Sequence, residues 1–300
     1  MKITDQGNKV LIQADDINFK EYLIYLDRNP NEILHHIKDR TISKVAMLNH
    51  EPVIFQVQQD SNGLAVSFPR IVPSVEARNA TALYTVEWLD LDRNLEPFYD
   101  MARTDPILQH VVERFKGHRL VGVPDLFEAL CWAIMGQQVS LHVAYLLKKR
   151  FVETFGQSVA FEGTLYWLFP TFEHIAKLTV HDLTSLKFTQ KKAEYIIGIA
   201  QRMAYGQLSK ESLLQRGNIG EMEKYLTEIR GIGNWTANYV MMRCLRQQDA
   251  FPLADAGLHN ALKRILHLEK KPGLDEINAW SGNWSGWKAY ATFYLWRSLL

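Results

Sequence analysis

Two glycines, one residue apart, separate two amphipathic helical patterns in the C-terminal half of the chain. Apolar residues recur at helical spacing over 222–229 and again over 237–245, so one helix ends and another begins around Gly231 and Gly233. Glycine tolerates positive φ and lets the backbone approach a ligand closely. The second helix also presents free N–H groups at its N-terminus, a favourable position for phosphate. The pattern favours a helix-hairpin-helix element that binds DNA; the alternative is that both glycines serve only as a helix cap and a loose turn.

Asp255 follows this hairpin and precedes a third helical pattern, in which apolar residues recur from Leu258 to Leu266. Aspartate is a common N-cap at such a position, worth about 1 kcal/mol. The helix dipole also keeps the carboxylate ionised, ready to face a developing positive charge. Capping and catalysis are compatible roles for this residue. Asp249, the nearby acid, is interpreted as a surface residue.

The first ninety residues are predicted to form mainly strands. Apolar residues alternate over 53–58 and 64–68, and Asn62-Gly63 between them predicts a β-hairpin. Further elements follow from periodicity alone: strands at 45–50 and 83–89, and a short helix at 30–38 that carries His35 and His36 on its surface. These two histidines are expected to be solvated rather than metal ligands.

The hydrophobic period changes from two to about 3.6 near residues 93–97, which predicts a domain boundary there. We therefore expect an antiparallel sheet domain at 1–95 and a helical domain at 96–300. Asp125 and Glu128 indicate a helix start, and a second helical pattern uses Val139, Val143, Leu146 and Leu147. Further helices are predicted at 171–178, 190–205 and 209–215.

Composition and charge narrow the class of protein. Apolar residues make up 47% of the chain and charged residues 22%, a mix typical of globular proteins, and no apolar run reaches the ~20 residues of a membrane span. Cys131 and Cys244 are too few for an iron–sulfur cluster or a four-thiolate zinc site, so we expect buried thiols and a cytoplasmic protein. Residues 1–140 carry 14 basic and 19 acidic side chains, whereas 141–300 carry 20 and 14, so the C-terminal half suits a phosphate backbone.

The hairpin 230–239, taken with Phe251-Pro252 and Asp255, resembles the helix-hairpin-helix superfamily of DNA glycosylases. Residues 133–140 (AIMGQQVS) and the tryptophan-rich tail 284–296 are similar to its AlkA-type branch, the DNA-3-methyladenine glycosylases II. The resemblance implies an α+β fold. A small antiparallel sheet domain, similar to half of the TATA-binding-protein fold, would precede a helical core with two lobes and a base-binding cleft between them. The lobes are expected at about 120–247, with the hairpin at 228–240, and at 96–119 plus 248–300.

The resemblance also implies a chemistry. Asp255 corresponds to the family's catalytic aspartate, which stabilises an oxocarbenium-like transition state and orients water after the base has been flipped out. An alkylated purine is cationic and leaves readily, so a single acid suffices. Bifunctional relatives carry a nucleophilic lysine where this chain has Trp235, so the predicted enzyme is a monofunctional glycosylase.

Three aromatic residues correspond to the family's base pocket: Trp235, Tyr239 and Trp296. Their faces would attract a cationic base, although core packing is the alternative for each. Gln138 occupies the position of the side chain, leucine in some family members, that fills the hole left by the flipped base. Glutamine is longer and polar, so the alternative is that Gln138 hydrogen-bonds the orphaned base, and Met135 is then the second candidate for filling the hole. Polar capping between two helices is the alternative for Gln137 and Gln138.

Contacts with the DNA backbone are expected from the hairpin and the preceding segment: Arg230, Gly231, Ile232, Gly233, Thr236, Gln137 and Gln138. Four other basic residues are candidates for phosphate contacts, and the sequence favours none of them individually: Lys191, Lys192, Arg243 and Arg246. The resemblance implies a monovalent cation at the hairpin carbonyls, no other metal and no cofactor.

The expected partner is double-stranded DNA with alkylated bases, bound by a monomer without any membrane contact. Two other functions stay open. A non-catalytic helix-hairpin-helix module would bind DNA and have no need of an acid at Asp255. An oxidised-base glycosylase shares much of this motif arrangement but would require a lysine at the position of Trp235.

Overall fold

A computed structural model describes residues 1–300 and has an N-terminal antiparallel sheet followed by a largely helical region. The six strands lie in the order β1-β2-β6-β5-β4-β3, all antiparallel. Helix α1 (Phe19–Leu26) connects β2 to β3, and α2 (Val75–Trp88) packs on the sheet. The strands are β1 (Lys2–Asp5), β2 (Lys9–Gln13), β3 (His36–Lys38), β4 (Thr41–Leu48), β5 (Glu51–Asp60) and β6 (Gly63–Ser67). The predicted α+β class is confirmed.

The predicted β-hairpin is formed by β5 and β6. Asp60 pairs with Gly63, which leaves a loop of two residues between the strands. Gly63 has a φ of +145°, and a Cβ there would lie 2.1 Å from the carbonyl oxygen of Ile12 on β2. Glycine is required at this turn because the neighbouring strand approaches so closely.

Two of the elements predicted before residue 95 are wrong. Residues 30–35 form turns and His36–Lys38 form β3, so His35 does not lie on a surface helix. Its ring lies 3.0 Å from the carbonyl oxygen of Leu26, and burial lowers its pKa to about 4. Residues 83–88 of the strand predicted at 83–89 lie in α2, which Ser74 caps by accepting a hydrogen bond from the Ala77 amide. The β-branched residues in that stretch resemble a strand locally, but the buried positions of α2 recur at helical spacing.

From Glu96 onward the chain is helical except for one small hairpin. That hairpin pairs β7 (Gln157–Phe161) with β8 (Thr164–Leu168) and was not predicted. Its Tyr166 packs against Val45 and Ile54 of the N-terminal sheet. The helices are α3 (Glu96–Thr104), α4 (Gln109–Arg114), α5 (Leu126–Gly136), α6 (Leu141–Phe155), α7 (Phe172–Ile175), α8 (Val180–Thr184), α9 (Gln190–Ala204), α10 (Lys210–Leu214), α11 (Ile219–Thr227), α12 (Asn234–Arg243), α13 (Ala256–Ile265), α14 (Leu274–Ser281) and α15 (Lys288–Arg297).

Most helix predictions in this region are confirmed. Asp125 caps α5 by accepting a hydrogen bond from the Glu128 amide, and α7, α9 and α10 lie where periodicity placed them. The apolar face predicted for the second helical pattern, after α5, is partly wrong, since Val139 and Val143 are 38% and 39% exposed. Both cysteines are buried, as expected. None of the helices is both long and apolar enough to cross a membrane.

Candidate active site

Different structural constraints act on the two glycines of the hairpin between α11 and α12. Gly231 has a φ of +97°, and a Cβ there would lie 2.3 Å from the ring of Tyr195. Gly233 is the N-cap of α12 with extended backbone, and its Cβ would meet nothing within 4 Å. Tight packing therefore fixes Gly231, while Gly233 leaves the N-terminus of α12 open to solvent. The open N-terminus suits an anion.

The hairpin side chains divide into exposed and buried ones. Arg230 is 76% exposed and forms an ion pair with Glu194 at 2.8 Å. Ile232 and Thr236 are 4% and 2% exposed, so their side chains are not available to a partner. The side chains of these two residues hold the hairpin in place.

The loop between α5 and α6 is fastened to the hairpin by Gln137. Its amide nitrogen donates to the Gly231 carbonyl at 2.9 Å and to the Thr236 hydroxyl at 3.0 Å. Gln138, the next residue, has a φ of +55°, which is strained for a residue with a Cβ. Met135 is fully buried in α5, so it is wrong as a second candidate for filling the DNA.

Asp255 caps α13 and accepts two further hydrogen bonds from tryptophans. Its Oδ1 accepts from the Leu258 amide at 2.8 Å and from the Trp296 indole at 2.7 Å. Its Oδ2 accepts from the Trp235 indole at 3.0 Å. Three N–H donors fix the orientation of the carboxylate. The capping role is therefore present, and the two indoles add contacts that a cap does not need.

The three predicted pocket aromatics lie together. The rings of Trp235 and Tyr239 are 5.6 Å apart and tilted by 31°, and those of Tyr239 and Trp296 are 6.2 Å apart and tilted by 32°. The Tyr239 hydroxyl accepts hydrogen bonds from the Trp132 indole at 2.7 Å and from Arg243 at 3.0 Å. Burial raises the pKa of Tyr239. These residues form an aromatic wall beside Asp255.

A single cavity of about 630 Å³ joins this wall to the loop between α5 and α6. Its volume falls within the range of small-molecule sites. The N-terminal region contributes Tyr25 and Arg28, which sequence patterns did not indicate, and Trp132 was also missed. The principal lining residues are Tyr25, Arg28, Trp132, Gln137, Gln138, Leu141, Trp235, Tyr239, Arg243, Asp255, Gly257 and Trp296.

Most of the additional basic residues are already engaged. Arg243 is 4% exposed and donates to the Val121 carbonyl at 2.7 Å, and Arg246 forms ion pairs with Asp90 and Asp92. Lys192 is buried and donates to the Met135 carbonyl at 2.7 Å, and burial lowers its pKa. Lys191 alone of the four is exposed.

Two residues near the acid differ from the sequence interpretation. Asp249 is half-buried and accepts a hydrogen bond from the Gly286 amide at 2.8 Å, so it is not a free surface residue. Asn238, which was not singled out, accepts from the Phe251 amide at 2.9 Å and donates to Glu223 at 2.8 Å. It thereby ties α11, α12 and the loop that leads to Asp255.

No group of three or more His, Cys, Asp and Glu side chains is arranged to hold a metal ion. The hairpin carbonyls of Ile229 and Gly231 each accept one hydrogen bond within the protein. Each carbonyl oxygen keeps a second lone pair that could bind a monovalent cation.

Comparison with known proteins gives two family matches. Residues 131–284 match the HhH-GPD superfamily of base excision DNA repair proteins, and residues 11–130 match the N-terminal domain of 8-oxoguanine DNA glycosylase. A DNA-3-methyladenine glycosylase from Bacillus subtilis is 48% identical over 278 residues, 92% of this chain and 91% of that protein. DNA-3-methyladenine glycosylase 2 from Escherichia coli is 30% identical over 182 residues, 60% of each chain.

Solved structures share the whole fold. A 3-methyladenine DNA-glycosylase from Archaeoglobus fulgidus has a TM-score of 0.82 at 25% identity, over 95% of this chain and 96% of that one. An 8-oxoguanine glycosylase/lyase from Clostridium acetobutylicum, in complex with double-stranded DNA, has a TM-score of 0.78 at 18% identity, over 99% and 97%, a likeness of fold. The family suggested by the hairpin is thus confirmed, and the chain belongs to the HhH-GPD superfamily of base excision DNA repair proteins.

Proposed function

We propose that this protein is a monofunctional DNA glycosylase that hydrolyses the N-glycosidic bond of alkylated purines flipped out of duplex DNA. The observation that carries the proposal is Asp255, a carboxylate on the wall of an aromatic cavity, held by the indoles of Trp235 and Trp296. The similarity to DNA-3-methyladenine glycosylases supports the same function.

In the proposed reaction the bond between sugar C1′ and the purine nitrogen breaks, and its electron pair leaves with the base. Asp255 stabilises the positive charge that develops on the sugar and orients the water that attacks C1′. The aromatic faces of Trp235, Tyr239 and Trp296 attract a cationic purine. Trp235 carries no amine to form a Schiff base with the sugar, which supports hydrolysis without strand cleavage.

The same proposal assigns the DNA contacts. The N-terminus of α12 and the backbone of Arg230–Gly233 would bind phosphate, Arg230 would approach it through its exposed guanidinium, and Gln138 would fill the space of the flipped base. Backbone groups would supply any contact from Ile232 and Thr236. A monovalent cation at the hairpin carbonyls would add a positive charge beside that phosphate.

We propose that the cleft lies between the two lobes expected from the sequence and that the sheet domain, which contributes Tyr25 and Arg28 to the cavity, ends near residue 95. The protein would act as a monomer on alkylated double-stranded DNA. We place this activity in the cytoplasm, at the nucleoid in a bacterial cell, because DNA is the substrate.

Release of methylated bases from alkylated duplex DNA tests the proposal. Asp255→Asn keeps a good helix cap but removes the charge, so this variant should fold, bind DNA and lose base release. Asp249→Asn is the matched control, because Asp249 lies outside the cavity and should leave release unchanged. Full activity in Asp255→Asn would contradict the mechanism.

Two results would favour other functions. If the parent protein binds DNA without releasing any base, it is a non-catalytic binding module. The match of residues 11–130 to the 8-oxoguanine DNA glycosylase N-terminal domain gives the oxidised-base alternative a specific basis. Release of 8-oxoguanine, together with strand cleavage and a Schiff-base intermediate that borohydride traps, would establish that alternative.

A further inference from the structure

Arg28 of the sheet domain lines the cavity that contains Asp255. It follows α1 and is half-buried, and its guanidinium carbon lies 3.8 Å above the centre of the Tyr25 ring. One guanidinium nitrogen donates to the Tyr25 carbonyl at 2.6 Å. No carboxylate forms an ion pair with it, and Glu32, which lies with Arg28 on a smaller neighbouring cavity, is bound to Lys148 at 2.9 Å.

Each of the other side-chain N–H donor groups on the inner cavity walls makes at least one hydrogen bond within the protein. The Trp132 indole donates to the Tyr239 hydroxyl, and Arg243 donates to the same hydroxyl and to a main-chain carbonyl. The amide of Gln137 is bound to the hairpin, and the remaining two indoles donate to Asp255. A guanidinium has five N–H donors. Arg28 is half-buried and donates one hydrogen bond within the protein, whereas Arg243 is 4% exposed and donates two, so Arg28 offers more free donors to the cavity. Gln138 lies on the loop between α5 and α6.

Purines differ at the edge that such a donor contacts. A 6-oxopurine presents an acceptor oxygen at C6, where a 6-aminopurine presents N–H donors. Arginine commonly pairs with both O6 and N7 of guanine, and methylation at N7 leaves O6 as the remaining acceptor. A guanidinium therefore attracts the 6-oxo edge and repels the 6-amino edge.

We propose that Arg28 is a specificity-determining residue that donates to O6 of a 6-oxopurine flipped into the cavity, a role that rests on the proposed glycosylase function. Guanine-derived and hypoxanthine bases are then favoured over adenine-derived ones. When the C1′–N9 bond breaks, its electron pair leaves with the purine, and the guanidinium stabilises that charge through O6. Water supplies the oxygen that bonds to C1′, and its proton goes to the departing base. A neutral 6-oxopurine depends most on this contact because it carries no cationic charge of its own.

The test measures single-turnover release of hypoxanthine, 7-methylguanine and 3-methyladenine from duplexes of one sequence. Arg28→Met should lower the release of hypoxanthine relative to 3-methyladenine by roughly 10- to 100-fold, the range for losing a hydrogen bond to a charged group. The loss for 7-methylguanine should be intermediate, and Arg28→Lys, which keeps the charge and one donor direction, should restore part of it. Arg103→Met is the matched control, since that arginine is 66% exposed and pairs with Asp100 outside the cavity.

An equal loss for all three bases, together with weaker binding to abasic DNA, would assign Arg28 to the DNA backbone or the fold and overturn the proposal. Unchanged ratios would overturn it too. A second measurement keeps the test independent of turnover. Free hypoxanthine should quench the cavity tryptophans of the parent more strongly than free adenine does, and Arg28→Met should remove that difference. If the parent releases none of the three bases, the proposed function fails, while the quenching result still decides the role of Arg28. If Arg28→Met does not fold, base release and tryptophan quenching are both measured on Arg28→Lys instead.

Discussion

The indole nitrogen of Trp296 lies 2.7 Å from Oδ1 of Asp255 and donates a hydrogen bond to it. This contact joins the last helix to the N-cap of α13. Because Trp235 donates to the other oxygen, both carboxylate oxygens have a fixed direction. The aromatic side chains of the cavity therefore do more than stack on a base, since two of them orient the acid.

Trp296→Phe tests that orienting contact because it keeps an aromatic, though smaller, ring and removes the N–H donor. We expect base release to fall about tenfold, the cost of one hydrogen bond to a charged group, with binding to abasic DNA unchanged. Single-turnover kinetics measure the first quantity and a fluorescence titration the second. Trp280→Phe is the control, since Trp280 lies outside the cavity. Wild-type release in Trp296→Phe would mean that stacking alone explains the residue.

Gly257 makes the contact between Asp255 and Trp296 possible. A Cβ at Gly257 would lie 2.9 Å from Oδ1 of the aspartate and 3.1 Å from the indole nitrogen. Gly257→Ala should raise the helix propensity of α13, by up to about 1 kcal/mol, yet displace the carboxylate. We expect an unchanged or higher melting temperature with at least tenfold slower base release. A variant that loses stability and activity together would point to general disruption of the helix.

The two hairpin glycines should respond differently to alanine. At Gly231 the new Cβ would collide with the Tyr195 ring, and the φ of +97° disfavours any side chain. Gly231→Ala should lower the free energy of unfolding by about 1–3 kcal/mol and weaken DNA binding. Gly233→Ala meets nothing within 4 Å, so it should lower the melting temperature much less, by no more than the loss of a glycine N-cap. Thermal unfolding of both variants checks this, and equal melting temperatures would contradict it.

Local patterns predicted the hairpin and the capping residue because both depend on neighbouring residues. The glycine spacing and the flanking helical periodicity are enough to place Gly231 and Gly233, and an aspartate before an apolar helix is enough to place Asp255. The same kind of argument was wrong for 30–38 and 83–89. There the local preference was weak, and pairing with the sheet or packing on it decided the structure.

Arg28 shows what sequence patterns do not contain. It follows α1 in the sheet domain, whereas Asp255 precedes α13, and only the packing of the two regions brings both to one cavity. The indole contacts to Asp255 are similar, since Trp235 and Trp296 lie far apart in the chain. The resemblance indicated that these tryptophans belong to the pocket, but not that they hold the acid.

His118 predicts how stability changes with pH. The side chain is 1% exposed, stacks on Phe293 at 4.6 Å, and makes no hydrogen bond through either ring nitrogen. Burial and then the charge of Arg297 lower its pKa to about 3, although Glu21 lies 3.7 Å away. Below pH 6.5, His118 therefore binds a proton in the unfolded chain but stays neutral in the folded protein until the pH nears 3. The free energy of unfolding consequently falls as the pH falls from 6.5 towards 3.

At pH 5 this loss amounts to about 2 kcal/mol from His118 alone, and His35, with its pKa lowered to about 4, adds to it. His118→Leu should therefore make the difference in unfolding free energy between pH 7.5 and pH 5 smaller by about 2 kcal/mol. Urea titrations at the two pH values measure that difference. His110, exposed on α4, is the control position, and His110→Leu should keep the pH dependence of the parent. The same dependence in His118→Leu would mean that His118 takes up its proton as readily in the folded protein as in the unfolded chain.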